Sequence, residues 1–322
     1  RHHRWDWPDH SSDPEKKVIG VRRTPWGSNM TTLAEIIQYA ISGLTGGSIY
    51  AVIGICWSLV YLITKVLNFT TGEFVMMGGM LTWAFHSSGI NLVGSALFAV
   101  ALTILISMLL ERFTIRPVRN PSEMTYMMIT IAASSVIKGI VLLLWGSETR
   151  SIAPFFGATV IHVYGATLTP QVLCVLGMLA VVTAALSLFL NRTLFGKALR
   201  ASAVNPTGAK LVGINISRFR LLCFCLAGGL GALTGIVITP ITFTGHEVGL
   251  LTGLKGLVAA IVGGWTMTGT TVAALVLGLL EGFGAGFISA GMKDVLALLV
   301  MIVFLIARTT DFKWAWAGRQ SS

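Results

Sequence analysis

Three runs, LFAVALTILISMLL (residues 97–110), QVLCVLGMLAVVTAALSLFL (171–190) and DVLALLVMIVFLIA (294–307), approach or reach the length of helix that crosses a bilayer, roughly 20 residues. Helices in a membrane are therefore the fold. The composition agrees: 54% of the 322 residues are hydrophobic and 11% charged, with a mean hydropathy of +0.79, where soluble domains are about a quarter charged. Apolar segments run over 33–62, 72–86, 92–110, 124–145, 171–190, 221–243, 251–265, 271–288 and 293–307. They predict an all-α, polytopic integral membrane protein with eight to ten spans, some short or broken. Three glycine-rich stretches, GLTGGS (43–48), GGLGALTG (228–235) and VGG (262–264), either let helices pack closely or break them within the membrane.

The net charge of +10 lies between the apolar spans, so it is read as sidedness and not as a surface for nucleic acid. Lys and Arg cluster at Arg112, Arg116 and Arg119; at Arg192, Lys197, Arg200, Lys210, Arg218 and Arg220; and at Arg308, Lys313 and Arg319. The positive-inside rule makes these three regions cytoplasmic and the connection 146–170, with Arg150 alone, external. Three apparent spans precede the first basic loop. Either the N-terminal side of the first span is outside, or segment 33–62 bends at Gly46 and Gly47 and counts twice. One membrane domain is expected over 33–308, flanked by a polar, disordered leader (1–32) and a cytoplasmic tail (309–322). The leader lacks the apolar core of a secretory signal. Cys56, Cys174, Cys223 and Cys225 all fall in apolar segments and read as small packing residues.

The segment 191–220 holds six basic residues and no acidic one. A plain anchor explains the charge but not the order of residues. Asn205 is a favoured N-cap, Pro206 suits the first helical position, and Gly213 suits the position just past a helix end. They frame one short helix, PTGAKLV, presented between two spans. By physics alone it is either a docking element for a cytoplasmic partner or a helix lying on the headgroups.

The run Thr193, Gly196, Ala198, Arg200, Ala201, Asn205, Ala209, Gly213, Ile214 resembles the cytoplasmic loop of ABC importer permeases of the branched-chain amino acid (high-affinity leucine) type. Other pieces match that family in order: GLTGGSIYAVIGICWSLVY (43–61), NFTTGEF (68–74), RPVRNP (116–121), GLKGLVAAIVGG (253–264) and LGLLEGFGAGFI (277–288). Departures are Thr71 before the Gly72-Glu73 pair, Trp265-Thr266-Met267-Thr268 after VGG where the family tends to carry a Gly-Ser or Gly-Asn turn, and the ending RTTDFKWAWAG (308–318). The resemblance implies a permease subunit without enzymatic activity, in the bacterial cytoplasmic (inner) membrane. It would import amino acids, branched-chain ones first, or a related small polar solute. The implied partners are a second homologous permease in a heterodimer, two cytoplasmic ABC ATPases and an extracytoplasmic solute-binding protein. ATP would bind those ATPases. This chain has no G-x-x-x-x-G-K-[ST] loop to cradle phosphates and is expected to bind no cofactor or metal.

On this reading the coupling residues are Gly196, Arg200, Ala201, Asn205, Pro206, Gly208, Ala209, Lys210 and Gly213. Arg200 and Lys210 would make rim contacts, and Gly208 and Ala209 would permit close approach. Ionisable groups are costly in lipid and default to functional roles. Glu73, with Asn68 and Gly72, either caps a broken helix or meets solute. Lys255 either snorkels to the interface or lines the pathway. Glu281 either lines the pathway or pairs with a helix end, and Lys138 is expected to be paired or interfacial. The competing class is an ion-coupled secondary transporter or channel, which needs coupling carboxylates or a filter, whereas the carboxylates here are few and scattered. His86, His162 and His246 stand alone, without the H-E-x-x-H or Ser/His/Asp grouping of an embedded enzyme.

Overall fold

The computed structural model describes residues 28–118, 122–157, 161–163 and 165–287, together with 295, 298, 299, 302 and 303. Most of the leader, most of the apolar segment 293–307, the basic cluster at Arg308, Lys313 and Arg319 and the tail 309–322 lie outside the described residues, as does Arg119. Within them the chain forms α1 (Ser28–Thr64), α2 (Thr70–Ser87), α3 (Leu92–Leu110), α4 (Glu123–Trp145), α5 (Pro170–Arg192), α6 (Leu194–Val204), α7 (Pro206–Leu211), α8 (Ile216–Thr242), α9 (Val248–Val262) and α10 (Met267–Phe287). A π-helical turn, Glu111–Ile115, extends α3. Side-chain caps set several starts: Asn91 accepts from the Gly94 N–H and Ser122 from the Thr125 N–H.

Among the described residues, six helices are long and apolar enough to cross a membrane: Leu33–Thr64, Leu92–Ile115, Glu123–Trp145, Pro170–Arg192, Ile216–Thr242 and Met267–Phe287. The expected eight to ten spans are thus not confirmed. Three of the expected segments are not among the six: 293–307 lies mostly outside the described residues, and α2 and α9 are the shorter helices of the bundle. α2 has 18 residues and α9 has 15, about 27 and 22 Å of helix at 1.5 Å per residue, against a hydrocarbon core of ~30 Å. α2 is enclosed by other helices, with all of it from Thr70 to Thr82 buried, while α9 packs on α1, α2 and α10 and leaves Leu250 and Leu251 exposed. The all-α expectation also omits a small antiparallel hairpin, β1 (Ile161–Val163) with β2 (Ala166–Leu168), in the 146–169 connection.

The glycine stretches divide between the two readings. α1 runs unbroken through Gly46 and Gly47, so the first apolar segment is one helix. Its Gly43 and Gly47 lie against the α10 backbone, where an added Cβ would stand 2.7 Å from the Gly278 carbonyl oxygen and 2.8 Å from that of Ala274. Small residues four apart on both helices allow this backbone contact. Gly231 and Gly235 of α8 likewise admit Phe74 and Val75 of α2. VGG, by contrast, ends a helix: α9 stops at Val262, Gly264 and Trp265 take φ of 65° and 60°, and Trp265 stacks on Tyr61 at 3.9 Å.

The parity question is answered by α1. Near its start, Gln38 Oε1 accepts from Thr167 N at 2.8 Å and from Thr167 Oγ1 at 3.1 Å. Near its other end, Leu59 and Leu62 share a cavity with Asn191 and Arg200. The N-terminal part of α1 is therefore on the hairpin side and its C-terminal part on the side of the basic loops. α1 and α3 then descend toward the basic side and α2 returns between them. The largest buried cluster, around Ile53, Trp57, Val182, Ile238 and Val258, joins α1, α5, α8 and α9. Trp57 Nε1 fastens it by donating to the Gly253 carbonyl at 3.1 Å.

Candidate functional site: a seam with two cavities and a presented loop

Two cavities open along the seam between α1 and α5. The outer one, about 310 Å³, lies under the hairpin between α1, α8, α9 and the start of α5; its polar lining includes Gln38 and Thr167 near the hairpin and Tyr50, Thr252 and Lys255 deeper in. The inner one, about 400 Å³, is walled by Ser58 and Leu62 of α1, Leu186 and Ser187 of α5, and Thr266, with Arg200 at its edge. From Val172 in the outer cavity to the inner one, α5 buries Val175, Leu179, Val182 and Leu186. Those four sit at positions 0, 4, 7 and 11 of one helical face, the spacing of an apolar stripe. Val175, Leu179 and Val182 pack into the cluster that holds Ile49, Tyr50 and Ile53 of α1. The packed part of the stripe, Val175 to Val182, lies on α5 between the residues that line the outer cavity and those that line the inner one.

At the base of the outer cavity Lys255 meets Glu281. Lys255 Nζ is 3.0 Å from Glu281 Oε1, and the side chains are 12% and 1% exposed. Tyr50 Oη donates to Glu281 Oε2 at 2.8 Å, and Lys255 Nζ donates to Tyr50 Oη at 3.3 Å while lying over the ring. The snorkelling reading of Lys255 fails, because the side chain turns inward from the middle of α9 to a carboxylate. Glu281 pairs with this ammonium and not with a helix end. An ion pair in a membrane interior is tolerable only in such a hydrogen-bonded setting.

Glu73 occupies a second buried setting. It lies in the first turn of α2, where a negative charge suits the helix dipole. Ser134 Oγ of α4 donates to its Oε1 at 2.9 Å, and Oε2 faces Gly249 without a hydrogen-bond partner among the described residues. Gly72 beside it lies on the backbone of Gly249 and Gly253. Asn68 is not itself the N-cap of α2, which is Phe69, but its Oδ1 accepts from Thr70 N at 3.3 Å and Thr70 Oγ1 at 2.7 Å. Lys138, one turn beyond Ser134, pairs with Glu247 at 2.8 Å. That hydrogen bond and charge hold the Glu247 carboxyl below the usual carboxylate range. Toward the basic side, Arg220 Nε reaches the buried Glu111 Oε1 at 2.6 Å.

The 191–220 loop contains two helices. The expected one is α7: Asn205 Oδ1 accepts from Gly208 N at 2.9 Å, and Gly213, at φ 82°, lets Ile214 N donate to Ala209 O at 2.9 Å. The second, α6, begins at Thr193, whose Oγ1 accepts from Gly196 N at 3.0 Å and donates to the Phe189 carbonyl at 2.6 Å. A side chain at Gly196 would collide with Phe189 O and Leu190 of α5. Arg200 Nη1 also donates to Asn191 Oδ1 at 2.8 Å. α6 is thus tied to the end of α5. The exposed surface of the loop is Leu194, Phe195, Val204, Leu211 and Val212 beside Lys197, Arg200, Ala201 and Lys210. Gly196 and Ala209 are buried inside the loop's own packing, and Gly208 is half-buried against Asn205.

Comparison with known proteins places this arrangement. The family described as the permease component of branched-chain amino acid transport systems matches residues 39–305. The chain belongs to that permease family. It is 28% identical over 291 residues to LivH, the high-affinity branched-chain amino acid transport system permease protein of Escherichia coli, covering 85% of this chain and 94% of LivH. BraD of Pseudomonas aeruginosa, which carries the same description, is 26% identical with 87% and 96% covered. Among solved structures, PsaBC from Streptococcus pneumoniae in complex with Fab aligns with a TM-score of 0.50 at 11% identity, over 86% of this chain and 94% of that one. That likeness carries the fold alone.

In this permease, a multi-pass membrane protein, the sequence-predicted residues fall into three places. Lys255 and Glu281 come together under the outer cavity. Asn68, Gly72 and Glu73 form a separate buried group behind α9. Residues 196–213 form the presented loop. Sequence reasoning missed Tyr50, Ser134 and the Glu111–Arg220 pair. Tyr50 carried a signal, a hydroxyl inside an apolar run, which needs a partner when buried. The α6 start was also legible, since Thr193 is a favoured N-cap.

Proposed function

We propose that this permease carries branched-chain amino acids inward across a bacterial cytoplasmic membrane along the α1–α5 seam. Two ABC ATPases drive it from the cytoplasm, a second homologous permease completes a heterodimer, and an extracytoplasmic solute-binding protein delivers the solute to the outer cavity. ATP is held and hydrolysed on the ATPases, and this chain performs no chemistry. The observation that carries the reading is the connection of α6 to α5. The loop that presents Leu211 and Val212 is locked, through Gly196, Thr193 and Arg200, to the helix whose apolar stripe lies between the linings of the two cavities. A push on α6 and α7 therefore reaches the stripe directly. Gly208, Asn205 and Pro206 set the shape of α7, while Arg200 and Ala201 of α6 and Lys210 of α7 are exposed beside the apolar residues. Asn68, Gly72 and Glu73 hold α2 against α4 and α9 at the back of the seam.

The test is reconstitution of the transporter with its ATPases, second permease and binding protein, followed by uptake of labelled leucine. ATP-dependent uptake that requires the binding protein is expected. Uptake that persists without the ATPases and follows an ion gradient would overturn the reading in favour of a secondary carrier.

A further inference from the structure

Among the described residues lining the outer cavity, Lys255 is the only charged one. The cavity's volume, about 310 Å³, is at the lower end of the range for small-molecule pockets, roughly 300–1,000 Å³. Apolar Ile49, Ile238 and Leu251 face the same space as the Thr45 and Thr252 hydroxyls. Both hydroxyls donate to carbonyls of their own helices, at Ile41 and Val248. Neither has a hydrogen left to donate to a solute carboxylate. The exceptional feature is the ion pair at the floor, with Lys255 in the cavity wall and Glu281 directly behind it.

A fastening role accounts poorly for this pair. α1 and α10 are already joined by backbone contact through Gly43, Gly47 and Gly278, and α9 and α10 by Gly263 against Thr270. Desolvation of two charges largely cancels their attraction, so an apolar pair of similar volume would hold the helices as well. Removing one charge alone, in contrast, strands the other in the membrane. The same asymmetry acts on a solute. A molecule with a single charge can engage Lys255 or Glu281 only by leaving the other bare. A zwitterion brings both charges a few bonds apart on one small frame and can replace each half of the pair for the other.

We propose that Lys255 and Glu281, with Tyr50 touching both, form a zwitterion-exchange subsite that takes the α-carboxylate of the solute on Lys255 and its α-ammonium on Glu281. Ile49, Ile238 and Leu251 then accept the aliphatic side chain. The inference rests on the permease reading above and adds the chemistry by which the pathway recognises its solute. Tyr50 Oη, bonded to both groups in the resting arrangement, remains as the shared polar contact while they part.

The experiment uses the whole reconstituted transporter. The double variant Lys255→Met with Glu281→Met is chosen because it leaves no stranded charge. It is expected to insert, to keep its thermal midpoint in detergent and to retain ATP hydrolysis stimulated by the binding protein, while leucine uptake falls by about tenfold or more. Near wild-type uptake in this folded variant would overturn the subsite. A second readout separates it from a structural tie. With the four native cysteines replaced by alanine and Thr252→Cys introduced, leucine should slow modification by a membrane-impermeant thiol reagent. Leucinol and 4-methylpentanoate, each carrying one of leucine's two charges, should not. Equal protection by all three would also overturn it. If the wild-type transporter shows no ATP-driven leucine uptake, the permease reading fails instead.

Discussion

At the scale of single residues, the absence of a side chain does as much in this permease as its presence. Gly235 faces the Val75 carbonyl so closely that a methyl group has no room, and the atoms it would meet are backbone. Gly235→Ala should therefore destabilise the protein by ~1–3 kcal/mol, the usual cost of overpacking. Gly177→Ala, on a face of α5 where nothing lies within 4 Å, should leave stability unchanged or slightly raised by helix propensity. Thermal unfolding of both variants in detergent compares them, and equal midpoints would contradict the packing account. Charged residues follow the complementary rule. Glu281 and Glu111 are both buried, and each has found a cation, Lys255 and Arg220, on a different helix. Which cation belongs to which carboxylate could not be read from spacing, since the partners are 26 and 109 positions apart.

At the scale of elements, α5 and α6 behave as one piece with a sharp elbow at Thr193. The elbow is built from local contacts, a hydroxyl on the preceding turn and a glycine against it, and it places the presented loop at the end of α5. The proposed docking surface is apolar and exposed, with Leu211 at 85% and Val212 at 76%. Replacing both by Asp should leave the protein in the membrane and the ATPases active, while leucine uptake drops about tenfold or more. Parallel measurement of ATP hydrolysis and uptake in vesicles checks this, and unchanged uptake would remove α7 from the coupling route. Substitution at Ala209 is a poorer probe of docking, because that side chain lies inside the loop and its enlargement would disturb α7 itself.

At the scale of the whole molecule, the opposite faces predict a definite sidedness. A cysteine placed at Ser151, in the connection below the hairpin, should react with an impermeant reagent in intact cells, whereas one at Lys197 should react only after the membrane is opened. The reverse pattern would invert the orientation assigned from the basic loops. The sequence by itself determined the membrane helices, the basic sides, the short helix from Asn205 to Gly213 and the family resemblance. Each of these is encoded by neighbours along the chain: hydropathy over a span, charge between spans, caps at i and i+3. Only the tertiary structure decided that the glycines of α1 are a seam and not a break, because a missing side chain looks the same in either role until the facing backbone is in place. It likewise decided that α2 is enclosed while α9 keeps one exposed edge, that Lys255 turns inward to Glu281 with Tyr50 touching both, and that the buried stripe of α5 reaches from the outer cavity to the inner one. These are contacts between segments distant in sequence, where hydropathy reports only that a residue is buried and not against what.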